Sequence, residues 1–258
     1  MKVVLFCGGL GTRLREHSDT IPKPLVNIGY RPIIWHLMRY YAHFGHTDFI
    51  LCLGYRGDLV REYFLSYREE LTNDFELRLD TGEIDLLGHD VTNWRITFVE
   101  TGLHSNIGQR LLRVRHLVQN EPMFLANYAD GLSDIPLDQL IGLVEKSGAI
   151  AGLASVISSQ SFHTVESGEE GVVTAMGALN RDGIRLNGGF FVLRREIFDH
   201  INEGEELVEK PFGRLIEKKR LVAYKHQGFW AAMDTLKDKI TFDRMEARGA
   251  CPWMLWRK

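Results

Sequence analysis

The sequence predicts a three-layer α/β sandwich around a mostly parallel mixed sheet, and three observations predict it. Apolar runs of buried-strand type alternate with amphipathic helical stretches through the first 157 residues. Those helical stretches are long enough to cross over a sheet, and glycine-rich or polar turns close the runs. In such sheets ligands gather beyond the carboxyl ends of the strands, so chemistry is expected just after Cys7, after Gly54 and at Asp130.

The elements follow in order. "VVLFC" reads as a buried strand. "PIIWHLMRYYAHFG" sets Ile34, Leu37, Met38 and Tyr41 on one side of a helix that Gly45 ends. "DFILCLG" is a second strand and "GDLVREYFLSYREEL" an amphipathic helix. "RITFVETG", "MFLANYAD" and "AIAGLASVI" are further strands, separated by helices over "GQRLLRVRHLV" and "PLDQLIGLVEKSG". From about residue 160, "GVVTAMGALN", "GIRLNGGFFVLR" and "LVAYKHQGFWAAMD" read as shorter strands, with a helix over "VEKPFGRLIEKKR". A last helix, "LKDKITFDRMEARG", leads to "PWMLWRK", whose two Trp dock on the body or on a second copy and so hint at a homo-oligomer. The pattern implies one domain over 1–258, with an α/β core over 1–157. The remainder, 158–258, extends the sheet or forms a small β-rich lobe.

A net charge of −3 over 258 residues gives no overall pull toward nucleic acid or a membrane surface, so any phosphate site must be a local concentration of positive charge. Cys7, Cys52 and Cys251 form no disulfide framework, which fits a reducing cytoplasm. No run approaches the roughly 20 apolar residues of a membrane span, and the opening strand does not read as a signal peptide.

The richest stretch is "LFCGGLGTRLREHSDTIPKPL". A dinucleotide fingerprint fails because Leu14 stands where the third glycine belongs, and the P-loop pattern is absent. What remains is a strand, then G-G-x-G-T-R, then Lys23 between Pro22 and Pro24. Glycines let backbone N–H groups approach phosphate oxygens. Arg13 can grip two oxygens at once, and the flanking prolines stiffen the placement of Lys23. The plain alternative is a glycine-rich turn followed by two solvated cations.

"GGLGTRL…PKPLVNIGYRPIIWH" resembles the signature of the sugar-1-phosphate nucleotidylyltransferases. "GYRGDLVREYF", "NWRITFVETG", "ADGLSDI", "NGGFFVL" and "GFWAAMDTLKDK" follow in the order of the glucose-1-phosphate cytidylyltransferase branch. The resemblance implies a Rossmann-like sandwich of the nucleotide-diphospho-sugar transferase type with a small substrate lobe. It also implies Mg²⁺-dependent nucleotidyl transfer to a sugar 1-phosphate, with CTP as donor, and direct in-line attack that releases pyrophosphate. Matched residue by residue, Gly8, Gly9, Leu10, Gly11 and Thr12 would cradle the triphosphate. Arg13 would bind the leaving phosphates and Lys23 would reach the α-phosphate. Gln109 and Arg110 would help hold the nucleotide, Asn187 and Gly188 the acceptor. Asp130 and Asp234 would be the metal pair, a donor set Mg²⁺ favours. Read alone, Asp130-Gly131 is a common turn and Asp234-Thr235 a helix cap.

Three departures stand out. Ala129 replaces the first glycine of Gly-Asp-Gly, and Gln109 replaces the second glycine of Gly-Gly-Arg. Ala178-Leu179-Asn180 stands where Glu-Lys-Pro would supply the lysine for the acceptor phosphate. Lys210 and Arg185 are the candidate replacements for that cation. The loss leaves two alternatives open, a non-standard acceptor or a catalytically silent nucleotide-sensing homologue. A dinucleotide redox enzyme is disfavoured by the missing glycine.

Overall fold

The computed structural model describes residues 1–9, 21–91, 93–157, 163–169, 171–178 and 184–257. The strands are β1 (Lys2–Phe6), β2 (Asn27–Ile28), β3 (Arg31–Pro32), β4 (Asp48–Leu53), β5 (Phe75–Leu77), β6 (Ile84–Leu86), β7 (Arg95–Glu100), β8 (Met123–Tyr128), β9 (Gly131–Ser133), β10 (Ala151–Val156), β11 (His163–Ser167), β12 (Val173–Ala178), β13 (Leu186–Asn187), β14 (Phe191–Arg194), β15 (Leu221–Lys225) and β16 (Trp230–Ala232). The helices are α1 (Ile33–His43), α2 (Gly57–Leu65), α3 (Ile107–Val118), α4 (Leu137–Ser147), α5 (Lys210–Glu217) and α6 (Leu236–Ala247).

Among the described residues the main sheet runs β15, β10, β13 with β14, β8, β1, β4, β7. Neighbours β7, β4, β1 and β8 are parallel, as are β10 and β15, whereas β14 is antiparallel to both β8 and β10. This is the mostly parallel mixed sheet that the alternation predicts. From β1 the chain winds outward first through β4 and β7 and then, on the other side, to β8. The crevice between the carboxyl ends of β1 and β8 is therefore the switch point where α/β folds take ligands.

Period-two alternation sorts the strands into two cores. Val3 and Leu5 face one layer with Ile34, Leu37 and Met38 of α1 and Leu140 of α4. Val4 and Phe6 face the other, with Leu111 and Val114 of α3 and Phe212 and Leu215 of α5. Strands from both sides of residue 157 share this sheet: β13, β14 and β15 extend it, and the hairpin β11–β12 stands apart from it. No helix among the described residues is long and apolar enough to cross a membrane.

Two expectations change. The helix anticipated over 57–71 ends at Leu65, because the Ser66 hydroxyl donates to the Glu62 carbonyl at 2.6 Å and competes with the helical ladder. A 3-10 turn, Glu69–Leu71, follows. There the Glu69 carboxylate accepts from the backbone N–H groups of Asp90 and Val91, tying the turn to the far side of the β5–β6 hairpin. The C-terminal Trp residues dock on their own chain, which removes the tail as a reason to expect an oligomer. Trp253 is fully buried, with ring centroids 5.5 Å from Phe229 and 5.3 Å from Phe242. Its indole N–H donates to His36 Nδ1 at 3.4 Å, leaving Nε2–H to face the Ile28 carbonyl. Burial lowers the His36 pKa to about 4, so the ring in this anchor is neutral near pH 7.

Candidate active site

Lys23, Asp130 and Asp234 meet at one point. Lys23 Nζ lies 2.6 Å from Asp130 Oδ2 and 2.6 Å from Asp234 Oδ1, across 107 and 211 residues of sequence. Each partner is placed by local chemistry. Pro22 holds an extended φ of −65°, and a 3-10 turn over Lys23–Leu25 follows with Pro24 buried, so the lysine leaves a stiff base. Asp130 sits in the turn between β8 and β9 at the carboxyl edge. Strand β9 pairs antiparallel with β16 as far as Gly131 and Ala232. Met233 N–H then donates to the Asp130 carbonyl at 2.9 Å, bringing Asp234 alongside.

The helix-cap alternative for Asp234 resolves in the next residue. Thr235 is the N-cap of α6, in a capping box with Asp238, which leaves the Asp234 carboxylate for Lys23. Burial alone would lower the pKa of Lys23; Asp130, and then Asp234, outweigh it, and the net shift is upward. The ammonium is charged, and one positive charge faces two carboxylates.

A cavity of about 140 Å³ opens beside this cluster, lined by Cys7, Gly9, Lys23, Ile107, Tyr128 and Asp130 among others. It lies at the β1–β8 crevice. Burial pushes the Cys7 thiol up, so it is an uncharged wall. Tyr128 sits at the strand end two residues before Asp130, beside its register partner Phe6. Its hydroxyl accepts from Asn187 Nδ2 at 3.4 Å, joining the cavity to the predicted acceptor residue. The Tyr128 pKa is raised to about 12, by burial first, with Asn187 lowering it and Glu206 and Asp130 adding to the rise. Sequence reasoning missed Tyr128 and Ile107. The signal was present for the tyrosine, which ends the strand that leads into Asp130 at the carboxyl edge.

Other predicted residues have different places. Leu10, Gly11, Thr12 and Arg13 lie outside the described residues, as do Leu179 and Asn180. The Gln109 side-chain carbonyl accepts from Asn106 N–H at 3.0 Å, and Asn106 caps back onto Gln109 N–H. It therefore builds the first turn of α3. Arg110 is 3 % exposed and donates to the carbonyls of Gly8 and Leu53 and the hydroxyl of Thr101. Its guanidinium is engaged by these groups inside the protein.

Gly188 donates its N–H to the Ala154 carbonyl and accepts from the Trp230 indole with its own carbonyl. A Cβ there would meet Val156 Cγ1 at 2.6 Å, so the glycine serves close packing and offers no free backbone group. Asn187 is exposed, with its amide toward Tyr128. Arg185 spans the end of β10, donating to the Ser155 hydroxyl at 2.9 Å and to the carbonyls of Ser155 and His226. Those bonds commit it to the scaffold and weaken its case as the replacement cation. Lys210 is exposed in the first turn of α5, and its ammonium has no ion pair among the described residues.

With a cation-bridged carboxylate pair beside a glycine turn at the sheet switch point, residues 2–235 match the family described as Nucleotidyl transferase. The chain belongs to the nucleotidyl transferase family. It is 39% identical over 258 residues to a protein of Bacillus subtilis described as "Probable glucose-1-phosphate cytidylyltransferase", covering 99% of this chain and 100% of that one. It is 35% identical over 257 residues to the "Glucose-1-phosphate cytidylyltransferase" of Salmonella typhimurium, with 99% and 100% covered. A UDP-glucose pyrophosphorylase solved with UDP-glucose superimposes with a TM-score of 0.69 at 19% identity, covering 96% of this chain and 98% of that one, a likeness of fold. Membership in this nucleotidyltransferase family makes the cluster of Lys23, Asp130 and Asp234 the place to look for its chemistry.

Proposed function

We propose that the protein transfers a cytidylyl group from CTP to a sugar 1-phosphate, in the cytoplasm, giving a nucleotide sugar and pyrophosphate with Mg²⁺ as cofactor. The observation that carries this reading is the single ammonium of Lys23 shared by Asp130 and Asp234 at the β1–β8 crevice. The printed names of the Bacillus and Salmonella relatives supply CTP and glucose 1-phosphate as the first pair to test.

The residues fit a divalent cation. Asp130 and Asp234 present two carboxylates to one point, and no group of three or more metal-type side chains occurs among the described residues. Mg²⁺ takes one or two carboxylates and completes its shell with phosphate oxygens and water. When bound, it would neutralise charge on the reacting phosphates. The chain's own residues do the rest. Gly8 and Gly9, leading into Leu10–Arg13, offer the triphosphate a close backbone approach. Lys23 holds the α-phosphate and offsets charge that builds as the acceptor oxygen attacks in line. Asn187, steadied by Tyr128, faces the acceptor.

Pyrophosphate release tests this directly. Protein with Mg²⁺ is given each of CTP, dTTP, UTP, ATP and GTP against a panel of sugar 1-phosphates. Release with CTP and glucose 1-phosphate is expected. A second reading, a silent nucleotide-sensing homologue, rests on Leu179 standing where the acceptor lysine belongs. Triphosphate binding without release for any pair would favour it.

A further inference from the structure

Among the described residues, Arg110 is a buried cation with no carboxylate within ion-pair distance. From α3 its Nη1 donates to the Leu53 carbonyl at 3.1 Å and the Thr101 hydroxyl at 2.7 Å. Its Nη2 donates to the Gly8 carbonyl at 2.9 Å and, more weakly, to the Leu103 carbonyl at 3.5 Å. These groups belong to the carboxyl ends of β1, β4 and β7, so one planar fork ties three adjacent parallel strands together. Glycine makes the room. A Cβ on Gly8 would overlap the guanidinium, and one on Gly54 would come 2.9 Å from Nη1 and 2.9 Å from the Gly8 carbonyl. Among the described residues no carboxylate lies within ion-pair distance of Arg110. Burial pulls its pKa below the ordinary arginine value, against the opposing pull of Cys52, Cys7 and Glu100.

A clamp on carbonyls and a hydroxyl does not require charge, and burying an unpaired cation costs several kcal/mol. The charge lies directly beneath Gly8, and the next residue, Gly9, lines the cavity with Lys23 and Asp130. In a low-dielectric interior a charge one backbone layer away still acts strongly on an anion. We propose that Arg110 is a positioning residue for the nucleotide phosphates. It shapes the Gly8–Gly9 turn and holds a buried positive charge under it, favouring the ligand with more phosphate charge without touching it. This rests on the reading of that turn as the triphosphate site.

The test is binding, by calorimetry, of CTP and of CMP to the wild-type protein, Arg110→Met and Arg110→Lys in one buffer. The expected result is a loss of at least tenfold in CTP affinity for Arg110→Met, about 1.4 kcal/mol, with a loss for CMP several-fold smaller. Arg110→Lys, which keeps the charge and loses the fork, recovers most of the CTP-to-CMP ratio. Equal losses for CTP and CMP would reduce Arg110 to a structural clamp and overturn the proposal. Unchanged CTP affinity in Arg110→Met would overturn it as well. If Arg110→Met fails to give a cooperative thermal transition, the uncharged Arg110→Gln takes its place, with the same expected and overturning results. A wild-type protein that binds no nucleoside triphosphate overturns the site reading itself, a different result from variants that match a binding wild type.

Discussion

Arg110 lies against Gly8 and Lys23 lines the cavity with Gly9, and the two carry the same charge in opposite settings. Lys23 shares two carboxylates, each 2.6 Å away, so its neighbourhood is short of positive charge. Arg110 is surrounded by carbonyls and a hydroxyl, so its neighbourhood has positive charge to spare. The contrast teaches that this site is not neutral piece by piece. Among the described residues, one part carries an excess of carboxylate charge and the adjoining part an unneutralised guanidinium.

The sharpest way to break the contrast is to remove a carboxylate. Asp130→Ala takes away half of the paired donor set and leaves Lys23 with one partner; the rate of pyrophosphate release is expected to fall roughly 10³-fold. A rate within tenfold of wild type would show that the pair does not serve the reaction. Lys23→Met leaves the two carboxylates facing each other without their ammonium. Turnover is expected to drop roughly 10²-fold, while Mn²⁺ binding without nucleotide, followed by electron paramagnetic resonance, tightens. Unchanged Mn²⁺ affinity would mean that the ammonium does not compete for those oxygens.

Smaller effects test the Arg110 side. Gly8→Ala drives a methyl into the guanidinium and is expected to cost about 1–3 kcal/mol of stability, as overpacking does, read as a lower Tm. Gly9→Ala, one residue on, has no described heavy atom within 4 Å of the added carbon and leaves Tm unchanged. Equal effects at the two glycines would mean that the fork does not fill the space under Gly8.

The layered fold was legible because periodicity is local. Val3 and Leu5 against Val4 and Phe6 already declare a strand buried on both faces, and α1 declares its apolar side through Ile34, Leu37 and Met38. The hairpin β5–β6 was overlooked although Phe75 and Leu77 alternate with polar residues before Asp80-Thr81-Gly82, and Ile84 and Leu86 after it. It is exposed on most positions and is absent from both cores, so burial does not single it out. At the site, Asp130 and Asp234 could be named from their motifs, but Arg110 stood in a motif too and turned inward. Side-chain type says that a guanidinium can bind a phosphate or a carbonyl; the packing around it chooses between them.

By itself, then, the amino-acid sequence determined the alternation of strands and helices, the glycine turn after β1 and the residue types able to handle phosphate and metal. These follow from spacings of two to four residues and from side-chain chemistry. The tertiary structure alone decided that Lys23 is held by both aspartates, that Thr235 caps α6 and so leaves Asp234 free, and that Arg110 lies beneath Gly8. Those pairings span from 102 to 211 residues for the charged groups, and the winding of β1, β4, β7 and β8 into one sheet, with β16 paired onto β9, closes such distances.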